Sequence, residues 1–211
     1  MSAGDANGDG RLDLVIATPN ALPIHPNTLS DSGGISLLLQ DAALPGRFLA
    51  SQWLATGGMA EDGATANLDG DGLADLVVAD GVSINGRALL LPQNLAAPGT
   101  FLGPASLLTG SGRGSSDVAV ADLNGDGRTD IILAAHDQVA VFYQYALGGF
   151  NPAVMLAAGL RVQGVAVSDL DGDGCADLVV ANVGDAPAGV SSAWPASMPD
   201  RSQAALSPSA T

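Results

Sequence analysis

Apolar residues in this chain fall in short runs rather than in long helical stripes. Runs rich in β-branched residues, Leu14-Val-Ile-Ala17, Leu76-Val-Val-Ala79, Ile131-Ile-Leu-Ala134 and Leu178-Val-Val-Ala181, are bounded by Gly, Asn and Asp. That is the pattern of buried strands between turns. Alternating segments precede two of them, at Asp117-Val-Ala-Val-Ala121 and Gly164-Val-Ala-Val-Ser168. Further runs follow at Ile35-Ser-Leu-Leu-Leu39, Ala88-Leu-Leu-Leu91 and Val139-Ala-Val-Phe-Tyr143, with weaker ones near Phe48 to Leu54, Ala105 to Leu108 and Ala153 to Leu156. Gly, Pro, Asn or Asp interrupts nearly every stretch of about twelve residues, which would end or fray a helix. The pattern predicts an all-β, antiparallel chain with about four short strands in each period.

A repeated motif marks the period. Asp5-Ala-Asn-Gly-Asp-Gly-Arg-Leu-Asp13, Asn67-Leu-Asp-Gly-Asp-Gly-Leu-Ala-Asp75, Asp122-Leu-Asn-Gly-Asp-Gly-Arg-Thr-Asp130 and Asp169-Leu-Asp-Gly-Asp-Gly-Cys-Ala-Asp177 start 62, 55 and 47 residues apart. Such spacing suits one supersecondary unit with loops of variable length. In the shared pattern D/N-x-D/N-x-D-G-x-x-D, oxygens at positions 1, 3 and 5, a main-chain carbonyl at 7 and a carboxylate at 9 wrap one cation if the chain bends sharply at 6. Position 6 is Gly10, Gly72, Gly127 and Gly174, the residue type that accepts such a bend.

The expected side-chain ligands are Asp5, Asn7, Asp9 and Asp13; Asn67, Asp69, Asp71 and Asp75; Asp122, Asn124, Asp126 and Asp130; and Asp169, Asp171, Asp173 and Asp177. Main-chain oxygens would come from Arg11, Leu73, Arg128 and Cys175. Hard oxygen donors with no imidazole or thiolate select Ca²⁺ over zinc or copper, and Mg²⁺ prefers to keep its water. Up to four Ca²⁺ are expected, one per motif. The competing reading is that Asn-Gly-Asp-Gly and Asp-Gly-Asp-Gly are plain hairpin turns. The distal Asp at position 9, for which a turn alone has no need, weighs against it. An EF-hand is excluded, since position 12 holds Ile16, Val78, Leu133 and Val180 instead of Glu and flanking helices are not predicted. Dockerin-like modules need a following helix, and thrombospondin-type calcium repeats need paired cysteines.

Composition narrows the picture. The chain has 211 residues, seven basic against 22 acidic side chains, and a net charge of −15. None of the cations is Lys, and Glu61 is the one Glu beside 21 Asp. That balance repels phosphate backbones and anionic lipid heads, so nucleic acid is not an expected partner. No apolar run approaches the roughly 18 to 20 residues needed to span a bilayer, and no membrane insertion is expected. The residues after Met1 lack the features of a signal peptide, and the natural beginning is expected upstream. Cys175 is alone, which rules out an internal disulfide.

The sequence Val118-Ala-Val-Ala-Asp-Leu-Asn-Gly-Asp-Gly-Arg-Thr-Asp-Ile-Ile-Leu-Ala-Ala135, a loop between two strands, resembles the FG-GAP or VCBS repeat of integrin-α-type β-propellers. The resemblance covers residues 5 to about 182 and implies an ion in the hairpin between the first two strands of each blade. That family's Phe-Gly and Gly-Ala-Pro are only echoed, in Pro45-Gly-Arg-Phe48, Pro98-Gly-Thr-Phe101 and Gly148-Gly-Phe150, which favours the bacterial-type VCBS branch over an integrin head. The implied fold is an all-β propeller, partial or a fragment, with about 3 to 4 blades of four strands. Residues 1–183 would form the blades, and 184–211, rich in Ala, Ser and Pro, a disordered tail or linker that includes Trp194. The first motif would supply strands two to four, with its first strand lost before Met1. The second and third would give whole blades near 63–109 and 115–157, and the fourth two strands. Self-association or further blades are expected to close the ring.

Function follows as expectation. The chain reads as a calcium-binding propeller module, extracellular or at a cell surface, for protein or glycan binding, scaffolding or adhesion. It is not expected to be an enzyme. His25 sits in a Pro-rich loop, His136 follows a strand beside Asp137, Cys175 lies inside an Asp loop, and Gly110-Ser-Gly-Arg-Gly-Ser-Ser116 fits a blade-to-blade loop better than an anion cradle. The alternative is the propeller part of a secreted polysaccharide-degrading enzyme or dehydrogenase, whose chemistry lies outside this chain.

Overall fold

Each Asp-rich loop turns the chain from the first to the second strand of an antiparallel meander. The computed structural model describes residues 1–19, 33–81, 86–146 and 148–183. Among them, β1 (Ser2–Gly4), β2 (Asp13–Thr18), β3 (Gly34–Leu38) and β4 (Gln52–Ala55) form one sheet. A second contains β5 (Ala60–Ala66), β6 (Asp75–Asp80), β7 (Arg87–Leu91) and β8 (Ala105–Leu108). A third contains β9 (Asp117–Ala121), β10 (Asp130–Ala135), β11 (Gln138–Phe142) and β12 (Val154–Ala157), and a hairpin follows from β13 (Val162–Ser168) and β14 (Asp177–Asn182). Strands pair in chain order within each sheet, and the first strands β1, β5, β9 and β13 pack next to one another. This is the arrangement of consecutive partial propeller blades.

One expectation is corrected. The first blade does have its first strand: Ser2, Ala3 and Gly4 pair with Val15, Leu14 and Asp13. Its three residues carry no apolar run, so pairing rather than pattern reveals it. The first sheet is therefore four-stranded like the next two. The expected tail at 184–211, Trp194 and His25 lie outside the described residues.

The unbroken apolar runs have a simple cause. Side chains alternate across a strand, and β6 and β10 are covered on both faces, so every residue in each is buried. Leu76 and Val78 face the first sheet, packing with Val15, Ile35 and Leu37. Val77 and Ala79 face the third, packing with Ile131, Leu133 and Phe142. Ile132 and Ala134 then meet Val162, with Val165, Val167, Leu178 and Val180 packed around them. The core is thus a series of equivalent layers between sheets.

The connections are equally tight. In the segment from β8 to β9, Ser115 N–H donates to Asp80 C=O at 2.8 Å and Thr109 N–H to Gly86 C=O at 3.0 Å. Gly114 lies where a Cβ would stand 2.0 Å from the Gly81 carbonyl oxygen, so the loop expected to bridge blades needs a residue without a side chain there. Arg87 Nε pairs with the buried Asp80 carboxylate across the β6–β7 ladder.

Between β5 and β9, the Asp117 carboxyl shares a hydrogen bond with Asp62. Asp117 Oδ2 also accepts from Val165 N–H on β13 at 2.8 Å, and Asp62 Oδ1 from the Met1 ammonium at 2.9 Å. Burial first, and the facing Asp62 second, push the Asp117 carboxyl up to about 6.

Two outcomes are expected. Leu133 is fully buried between two sheets, so Leu133→Ala should lower unfolding free energy by about 2 to 5 kcal/mol in denaturant titration. The Asp117 carboxyl is a weaker acid in the fold than in the unfolded chain, so the folded state holds a proton the unfolded chain releases. Its stabilising contribution is complete below about pH 4 and is lost as pH rises through about 6. Asp117→Asn should therefore melt above the parent protein at pH 7.5, with the gap shrinking toward pH 4; a gap independent of pH would contradict the assignment.

Candidate metal centres

All four loops fold the same way. Position 1 reaches forward to amides of its own loop: Asp5 Oδ1 accepts from Gly8 N–H at 2.8 Å and Oδ2 from Gly10 N–H at 2.7 Å. Asp122 repeats this with Gly125 and Gly127, and Asp169 with Gly172 and Gly174, while Asn67 Oδ1 accepts from Gly70 N–H. Positions 3 and 5 each accept the amide two residues on. Asn7, Asp69, Asn124 and Asp171 take that of position 5, and Asp9, Asp71, Asp126 and Asp173 that of position 7, at 2.7–3.1 Å. These successive Asx turns tie the side chains at positions 1, 3 and 5 to the backbone of their own loop.

The backbone bends that permit this use two glycines per loop. Gly10, Gly72, Gly127 and Gly174 have φ of 82–89°, as the motif requires at position 6. Position 4, not singled out by the ligand pattern, is held the same way: Gly8, Gly70, Gly125 and Gly172 have φ of 73–84°. A side chain at either position would strain the loop.

Position 9 has a role that the ligand pattern does not show. Asp13 accepts from Ala6 N–H at 2.9 Å with one oxygen and from Gln40 N–H at 2.7 Å with the other. Asp75 does so with Leu68 and Gln93 at 2.7 and 2.8 Å, and Asp130 with Leu123 and Gln144, both at 3.0 Å. Each carboxylate ties the loop's start to the chain just after the third strand. The expectation that a plain turn has no use for this Asp is corrected: its two oxygens brace the loop against the chain after the third strand. Each oxygen keeps a further lone pair for a cation. Burial first, and the carboxylates at Asp69 and Asp71 or Asp126 and Asp122 after the opposing amide bonds, push the Asp75 and Asp130 carboxyls up, making them weaker acids than usual.

In the fourth loop, Asp169, Asp171 and Asp177 bring oxygens within 4.8 Å of one another, so one cation could be shared by all three. The same positions include an Asn in each of the other loops, at Asn7, Asn67 and Asn124, so their third donor is a neutral amide oxygen. Asp177 accepts from Leu170 N–H at 2.9 Å with one oxygen, and among the described residues no third-strand amide takes the other. The donor set throughout is carboxylate and amide oxygen, which fits Ca²⁺. At position 7, Arg11 Nη2 reaches Asp9 Oδ2 at 2.8 Å and Arg128 Nη2 pairs with Asp126. The Cys175 amide closes its turn on Asp173 at 2.7 Å.

A repeated geometry also links loops to neighbouring sheets. Gln93 Nε2 donates to Ala6 C=O of the preceding sheet's loop at 2.9 Å, and Gln144 Nε2 donates to Leu68 C=O likewise. Both Gln, and Gln40, form isolated bridges with Phe101, Phe150 and Phe48, the phenylalanines of the Gly-x-Phe echoes. These Gln escape sequence inspection because they lie 27, 18 and 14 residues after their Asp partners. The recurring Gln to Gly-x-Phe stretch is the signal that marks them. His136, with φ of 61°, forms the β10–β11 turn with its Nδ1 2.7 Å from Asp137 Oδ1.

Comparison with known proteins follows this geometry. No curated protein matches the chain in sequence. Among solved structures, the Tc holotoxin pore of Photorhabdus luminescens is similar at 23% identity and a TM-score of 0.42, over 85% of this chain and 10% of that one. The chain thus spans about a tenth of that relative's length. Residues 5–78, 67–133 and 122–180 each match the FG-GAP-like repeat. With successive matches running from one Asp loop past the next, and a four-stranded meander or its first hairpin built on each, the chain belongs to the FG-GAP-like repeat family.

Proposed function

We propose that this chain is a calcium-stabilised β-propeller module of an extracellular or cell-surface protein, which binds a protein or glycan through its loops and does no chemistry of its own. The observation that carries the metal reading is the fourth loop, where three carboxylates converge within 4.8 Å. The ligands are those at positions 1, 3, 5 and 9 of each motif, with the main-chain oxygens of Arg11, Leu73, Arg128 and Cys175. Bound Ca²⁺ would supply positive charge where each turn gathers carboxylates, taking the formal charge from −15 to −7 with four ions. Its effect is to hold the turn that joins the first two strands, so folding and metal occupancy are coupled. Loops of this openness suit the weak affinities, about 10⁻⁴ to 10⁻³ M, of extracellular calcium modules.

Calorimetric titration after chelation, beside thermal melts, tests the reading. A tenfold excess over the dissociation constant adds about 1.4 kcal/mol per site. Four sites then predict a rise in melting temperature of roughly 10 to 20 °C for a chain of this size. Asp171→Ala with Asp173→Ala should remove one site while leaving Asp177 and the buried Asp13, Asp75 and Asp130 in place. Heat of binding unchanged in that variant would refute the ligand assignment. On a glycan array, binding that disappears with chelation is the expected outcome for the recognition role.

A further inference from the structure

Two buried glutamines join the first three Asp loops in pairs. Gln93 and Gln144 are 3% and 7% exposed, and each is fastened to two loops at once. The backbone N–H of Gln93 donates to Asp75, position 9 of the second loop, at 2.8 Å. Its Nε2 donates to Ala74 C=O, position 8 of the same loop, at 2.7 Å, and to Ala6 C=O, position 2 of the first loop, at 2.9 Å. Gln144 repeats the arrangement one sheet later. Its N–H donates to Asp130 of the third loop at 3.0 Å, and its carbonyl accepts from Arg128 Nε of that loop at 3.0 Å. Its Nε2 donates to Leu68 C=O, position 2 of the second loop.

The segment after each Gln closes on the same neighbour. Gly99 N–H donates to Gln93 Oε1 at 3.0 Å, and a Cβ at Gly99 would stand 3.3 Å from the Cβ of Asn7, position 3 of the first loop. A Cβ at Gly148 would stand 3.5 Å from the carbonyl oxygen of Asp69, position 3 of the second loop. Position 2 lies between two ligand positions of its loop, and position 9 is itself a ligand position. Both ends of each Gln are therefore tied to groups that an ion would also fix.

We infer that Gln93 and Gln144 couple neighbouring Asp loops, so that a divalent cation held in one loop raises the affinity of the next for its own. The inference rests on the metal reading above. A cation drawing positions 1 and 3 together fixes the position-2 carbonyl between them, and with it the Gln amide that donates there. The same Gln then presents its N–H to the position-9 carboxylate of the next loop with part of the ordering cost already met, so the second ion binds a loop with less freedom to lose. Linkage makes the effect reciprocal. Such coupling is carried by contiguous hydrogen-bonded groups, and the path from Ala6 through Gln93 to Asp75 contains a single intervening residue.

Hydrogen exchange of the full chain across a Ca²⁺ titration, read at the amides of each loop separately, tests it. Asp122→Asn with Asp126→Asn removes two charges from the third loop, keeps an amide oxygen for each Asx turn and leaves Asp130 and Gln144 untouched. In that variant the Ca²⁺ concentration that half-protects the second-loop amides of Gly70 and Asp71 should rise about fivefold or more, the low end of typical coupling. Gln144→Met keeps the backbone N–H for Asp130 and a side chain of similar length, but has no amide to donate. In that background the same two substitutions should leave the second-loop midpoint unchanged. Gln93→Met should likewise uncouple the first loop from the second, and it supplies the test if a melting curve shows that Gln144→Met does not fold. A second-loop midpoint indifferent to the third loop would overturn the inference, as would an equal shift in both backgrounds. Ca²⁺ that protects every loop independently would defeat the inference alone, whereas Ca²⁺ that protects none in the parent protein would defeat the metal reading and the inference with it.

Discussion

The interaction on which the structure depends is the buried carboxylate at the ninth position of each loop. Asp13, Asp75 and Asp130 each use one oxygen for the amide at the loop's start and the other for the amide of a glutamine after the third strand. A buried carboxylate is costly unless such donors satisfy it, and here the donors come from the loop's start and from the chain just after the third strand, far apart in sequence. The glutamine so placed then extends its side chain to the preceding sheet, as Gln93 and Gln144 do. One acidic group thereby positions the loop, the third strand and the contact between neighbouring sheets.

The hydrophobic layers complete what the carboxylates align. Because β6 and β10 bury both faces, each sheet is stabilised by the one before and the one after, and no sheet has a core of its own. Stability in such a series is largely a sum over neighbouring contacts.

The same geometry places the acidic loops at one end of every first hairpin, with positions 1, 3 and 5 already wound into Asx turns. The loops gather negative charge against a scaffold that holds them by hydrogen bonds, and this tension between rigid placement and repulsion is what a hard divalent cation would relieve. The facing Asp62 and Asp117 set a similar tension between adjacent first strands, which raises the pKa of Asp117 to about 6.

Much of this was legible in the residues. The repeat, the runs that become β2, β6, β10 and β14, the oxygen-only donor set and the turn glycines at position 6 depend on local spacing and on residue chemistry, which sequence states directly. β1 was not, since three small residues without apolar pattern become a strand only by pairing with β2. Nor was the structural task of Asp13, Asp75 and Asp130, whose amide partners lie beyond connections of differing length, or the meeting of Asp62 with Asp117. The amino-acid sequence by itself determined the period, the strand segments and the chemistry of the loops. Only the tertiary structure decided which carboxylates are buried braces and which glutamines cross to a neighbour, because each depends on groups far apart in the chain being brought to the same place.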